Sequence, residues 1–153
     1  MNAANQAPKS QARSVARLAA VQALYQQQME NTALTRLLDE FHMHRLGKEI
    51  EEDQYADAEV DFFDDIVTGV DARRDEIDEL LQSKLADGWK IARLDKTMVQ
   101  ILRCGTYELL ASADISKKIV ISEYIDVAHA FFDDKEAKFV NGVLDSVGKA
   151  VRQ

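Results

Sequence analysis

A single proline, at position 8, interrupts 153 residues, and the six glycines stand singly at 47, 69, 88, 105, 142 and 148. A chain with so few turn-formers is hard to divide into the many short strands of a sandwich or barrel. It divides readily into a few helices, and its apolar residues recur at helical spacing. Leu18, Val21, Tyr25 and Met29 predict a helix over about 14–29 with those four on its buried face. The polar residues before it read as a flexible arm over 1–10, leaving 11–153 as one all-helical domain. Leu34, Leu37, Leu38 and Phe41 mark a second helix over about 32–45, and the acidic, aperiodic 47–54 reads as a loop.

A long pattern follows over about 57–85, striped by Phe63, Ile66, Val67, Val70, Ile77, Leu80 and Leu81. Gly69 within it marks a bend or a close packing point, and Gly88 a stop. Trp89 and Ile91 fall in a connector where an aromatic would close the core. Asp95 is a candidate N-cap for a helix carrying Leu94, Met98, Ile101, Leu102, Gly105 and Leu109. The β-branched run Ile119–Ile121 suggests a strand, but Ile121, Tyr124, Ile125, Ala128 and Phe132 hold helical spacing well past strand length. Val140, Val143, Leu144, Val147 and Val151 stripe a last helix. The fold class expected is all-α, a compact bundle of about six or seven helices with short connections.

Charge narrows the partners. The net charge of −8 argues against a polyanion until its distribution is considered. Residues 1–29 carry Lys9, Arg13 and Arg17 and no acid. Residues 30–100 hold 9 basic and 19 acidic side chains, a balance of −10, and residues 101–153 hold 7 and 8, a balance of −1. The acidic middle is ordinarily a solvated surface, while the two ends are less repulsive to nucleic acid. No apolar run reaches the roughly 18 residues of a membrane span, and the start lacks the apolar stretch of a secretory signal. The lone Cys104 suits a reducing cytoplasm.

Catalytic constellations are missing. The isolated glycines build no phosphate loop. His42 and His44, two residues apart, would point about 160° away from each other on a helix, and His129 has no cysteine nearby. Cys104 is more readily a packed thiol than a nucleophile. We therefore expect no enzyme, no metal and no cofactor.

Binding residues are easier to nominate. Arg13 and Arg17, with Ala20 and Leu24, lie about 100° around the first helix from the predicted core stripe, and Lys9 joins them if the helix extends backward. Such a face offers planar forks to phosphates, although exposed arginines are commonly only solvated. Phe139 sits at the edge of the last stripe, beside the line of Lys135, Gly142 and Ser146. A ring there would support a stacked base or cap the core. Lys117 and Lys118, in a turn before a helix, would add phosphate contacts.

Three blocks carry a resemblance to a known family: RSVARLAAVQALY at 13–25, ILRCGTYEL at 101–109, and a stretch over 114–145 containing ISEYID at 121–126 and KFVNGVLD at 138–145. In order and spacing they resemble the NusB family over nearly the whole chain. Ser116 stands where the family usually has proline, Ser122 where it has asparagine, and His129 where it often has lysine. The resemblance implies two packed three-helix-type subdomains. It implies binding of the boxA element of nascent ribosomal RNA, with NusE (a small-subunit ribosomal protein) as partner and RNA polymerase as the machine acted on. It further implies a NusE dock on helices near 95–132, whose exposed side is expected to mix Arg103, Tyr107, Glu108 and Asp126 with apolar residues. The alternative is the RNA-binding part of an rRNA cytosine methyltransferase acting with a separate catalytic chain; a protein scaffold without RNA is a third class.

Overall fold

The computed structural model describes residues 2–43 and 56–152, with side chains over 11–43 and 60–152. The expected loop at 47–54 lies outside the described residues. Among the described residues there are seven α-helices: α1 Asn2–Glu30, α2 Leu34–Phe41, α3 Ala56–Ala72, α4 Arg74–Lys84, α5 Lys96–Ala111, α6 Lys117–Phe131 and α7 Asp134–Val151. A single 3-10 turn, Ile91–Arg93, precedes α5. The described residues hold no strand, and Ile119–Ile121 lies inside α6. The chain divides into two compact units, Met1–Thr68 and Gly69–Gln153.

In the first unit α1 runs from Asn2, taking in the segment read as an arm, and ends where Asn31 adopts φ 54. Asparagine tolerates this left-handed turn and stops helices with it. The facing of α1 departs from expectation. Ala12, Ala16, Ala19, Ala20, Val21, Ala23 and Leu24 are buried, whereas Tyr25 and Met29 are exposed and Leu18 half-buried. Alanines let a neighbouring helix approach closely, so the stripe of small residues faces inward with Val21 and Leu24, while Tyr25 and Met29 remain outside. α1 packs against α2, whose Leu37 and Phe41 are buried, and Phe41 stacks on Phe63 of α3 with centroids 5.6 Å apart.

In the second unit α5, α6 and α7 pack on one another, and α4 packs on α5 and α7. The long pattern over 57–85 is two helices, broken at Arg73 (φ −109, ψ 21). Arg73 bonds Glu76 through two guanidinium nitrogens, and Arg74 bonds Asp71. The apolar stripe nonetheless continues from Val70 to Ile77 and Leu81. Gly69 is a packing point: a Cβ there would lie 2.2 Å from the Tyr107 ring.

The cap expected at Asp95 is present, and two others accompany it. The Asp95 side chain accepts from the backbone N–H groups of Thr97 and Met98 at 2.8 and 3.2 Å. Ser116 Oγ accepts from Ile119 N, and Asp133 with Glu136 forms a capping box at α7. Arg152 closes the far end of α5. Its guanidinium donates to the carbonyls of Glu108, Leu109, Ser112 and Ile115, of which Glu108 and Ser112 also accept from the backbone N–H groups of Ser112 and Ile115.

Candidate nucleic-acid interface

The basic residues of the first unit are less exposed than the sequence suggested. Arg17 is only 3% exposed, and Arg13 is half-buried. Their guanidinium carbons lie 4.8 and 4.9 Å from the centroid of the Phe62 ring on α3, within cation–π range. Arg17 therefore belongs to the packing of α1, not to a solvent-facing basic stripe. Its line faces inward with the alanines: the neighbouring Ala16, Ala20 and Leu24 are core. Arg13 Nε is buried and has no hydrogen-bond partner among the described residues. Lys9 lies within α1.

The second unit holds the other nominated residues. Lys118 and Lys135 are exposed, and Phe139 is half-buried on α7. Lys135 precedes Phe139 by one turn, so both share a helix face with Gly142. A Cβ at Gly142 would meet nothing within 4 Å, so that face is open. Lys117 is half-buried because its stem crosses Gly148, where a Cβ would lie 2.5 Å from Lys117 Cδ.

An aromatic missed as a candidate joins Phe139. Trp89, expected to close the core, is instead 54% exposed, with its ring centroid 6.2 Å from that of Phe139. The turn that displays it is tightly held. Trp89 N donates to Ala86 O across Gly88, whose φ of 87 suits glycine. The Gln82 amide donates to Trp89 O at 2.7 Å and accepts from Ile91 N at 3.1 Å. The signal available in the sequence was Gly88 beside the chain's one tryptophan, in a stretch without an apolar stripe.

Of the side chains expected on an exposed partner face, only Asp126 is exposed. Tyr107 and Glu108 are buried, and Arg103 is largely so. Arg103 forms a bidentate bond with Asp78, both contacts at 2.8 Å. The Tyr124 hydroxyl donates to Glu108 Oε2. The physical reason is that α5 packs against α4, α6 and α7, so a single amphipathic face was the wrong template for it. Burial also pushes the Cys104 thiol above its ordinary value, helped by the nearby Glu108 charge and opposed by Arg103. No group of three metal-ligating side chains is found among the described residues.

Comparison with known proteins places this arrangement. The profile of the NusB family matches residues 14–149. The chain is 67% identical over 141 residues to a transcription antitermination protein NusB of Novosphingobium aromaticivorans, covering 92% of this chain and 95% of that one. It is 59% identical over 145 residues to that of Sphingopyxis alaskensis, covering 95% and 97%. Among solved structures, T. maritima NusB superposes with a TM-score of 0.74 at 30% identity, covering 90% of each chain. A chain in a crystal structure of antitermination factors NusB and NusE in complex with dsRNA superposes at 0.73 with 25% identity, covering 92% of this chain and 98% of that one. The sequence and the fold agree with these relatives along nearly the whole length, and the chain belongs to the NusB family.

Proposed function

We propose that this chain is an antitermination adaptor that binds the boxA element of nascent ribosomal RNA together with NusE and promotes read-through by RNA polymerase, without catalysing a reaction. The observation that carries this reading is the 67% identity to a transcription antitermination protein over 95% of that relative's length. Such coverage favours the adaptor over the methyltransferase alternative. The likeness to a chain crystallised with NusE and dsRNA supports the same partners.

Exposed Lys118 and Lys135 are the phosphate contacts best supported by their surroundings, with Lys117 beside Lys118 and Lys9 adding charge on α1. Phe139 supports a base. Arg13 serves as a phosphate contact, while Arg17 acts through Phe62 as a positioning residue. NusE docks on the second unit, with exposed Ile119 and Asp126 of α6 supplying an apolar centre and a polar rim. Tyr107, Glu108 and Arg103 hold α5 beneath that surface.

The test is calorimetric. Single-stranded boxA-like RNA and its duplex are titrated into the chain alone and into its complex with NusE, at two salt concentrations. NusE is expected to tighten RNA binding by the same factor by which RNA tightens NusE binding. Equal RNA affinities with and without NusE would remove the cooperative adaptor.

A further inference from the structure

The chain's only tryptophan is exposed, and its turn is anchored at three backbone points. A large apolar ring held in water by a well-bonded turn gains little from burial, so folding alone gives no reason for its display. Phe139 lies against one side of the indole, with the planes inclined at 37°. A gap between two rings 6.2 Å apart is too narrow to admit a base, but the rest of the indole remains accessible.

Three lysines adjoin the two aromatic residues in the chain or on their helix and are available to a polyanion. Lys90 follows Trp89 in the chain, and Lys135 and Lys138 lie on the same helix as Phe139. All three are exposed, and among the described residues none has an ion-pair partner. Four acids lie close in sequence: Asp133 and Glu136 are engaged in the α7 capping box, Asp134 lies 3.9 Å from His129, and Asp87 is exposed in the turn.

We propose that Trp89, backed by Phe139, is a stacking platform for an unpaired RNA base, with Lys90, Lys135 and Lys138 drawing in the adjoining phosphates. Stacking requires a flat exposed ring with a rigid support, and a phosphate chain requires cations around it. This inference rests on the RNA-binding reading and extends it by a residue that the family blocks do not contain. An unpaired base is the occupant because a duplex keeps its bases stacked internally and leaves no face for the indole.

Trp89 is its own reporter, since no other tryptophan contributes emission. Tryptophan fluorescence and calorimetry are followed together while the full chain is titrated with a short single-stranded RNA, its duplex, or inorganic polyphosphate. The single strand is expected to quench Trp89, and polyphosphate, which has charge but no bases, to leave it unchanged. Trp89→Ala should weaken single-strand binding roughly five- to hundredfold, and Trp89→Phe should recover most of it. Both variants should keep the helical circular-dichroism signal, because the ring is exposed. Calorimetric binding of the single strand without quenching, quenching by polyphosphate to the same extent, or unchanged affinity in Trp89→Ala would overturn the platform while leaving RNA binding intact. Absence of any calorimetric RNA binding would instead sink the RNA reading, and the platform with it.

Discussion

Two glycines show how differently one residue type can be used. Gly69 faces the Tyr107 ring with no space for a methyl group, whereas Gly142 faces open surroundings. Gly69→Ala is expected to destabilise the fold by about 1–3 kcal/mol through overpacking. Gly142→Ala removes a flexible residue from a helix interior and is expected to stabilise by roughly 0.5–1 kcal/mol. Thermal melts should therefore move in opposite directions, and a lowered melting temperature for Gly142→Ala would show that its surroundings are not open. Cys104 makes a second prediction at this scale. Because burial raises its pKa, the folded state keeps the thiol protonated while the unfolded state ionises near the ordinary value of about 8.5. This contribution to stability is fully present below that pH and is lost progressively as pH rises above it towards the raised value of the folded state. At pH 8 a disulfide reagent should label Cys104 only as fast as the second unit opens. Rapid labelling of the native protein would contradict its burial.

Among the elements, α6 explains one of the sequence's departures from its family. Ser116 has φ −62, a value proline also fixes, and its hydroxyl caps the helix through Ile119 N at 3.2 Å. Serine thus starts the helix by a hydrogen bond where proline would start it by a restricted backbone. Ser116→Ala should cost about 0.5–2 kcal/mol, and Ser116→Pro less, as measured by denaturant unfolding. An alanine variant as stable as the parent would deny the cap a role. The Asp95 cap, and the stripes of α5 and α7, are legible in the sequence because each is a local pattern. The break at Arg73 is not, since no glycine or proline marks it and the apolar stripe runs through it. The facing of α1 is not legible from its large side chains, because close helix contact selects alanines for the buried face. The exposed face expected on α5 is absent because surrounding helices, invisible in a single segment, bury Tyr107 and Glu108. The display of Trp89 is not legible either, since the Gln82 clamp that holds its turn joins residues from separate segments.

At the scale of the whole molecule, a chain of net charge −8 must bind RNA through local rather than global attraction. Salt screens exposed charges beyond about 10 Å at 0.1 M, so the lysines nearest the strand dominate. If Lys118 and Lys135 each neutralise a phosphate, the double alanine variant should reduce the salt slope of single-strand binding by about 1.4. An unchanged slope in filter-binding or calorimetric titrations would exclude these two lysines as phosphate contacts. The arginines of α1 stand in a different position, because their stacking on Phe62 makes them part of the packing as well as of the charge. A substitution at Arg13 or Arg17 cannot alter affinity for a ligand without also altering how α1 meets α3. Exposed lysines carry no such double duty. Divergence among descendants of this chain should therefore retune RNA affinity by gaining and losing lysines, while the buried arginine stays fixed long after the surface around it has drifted.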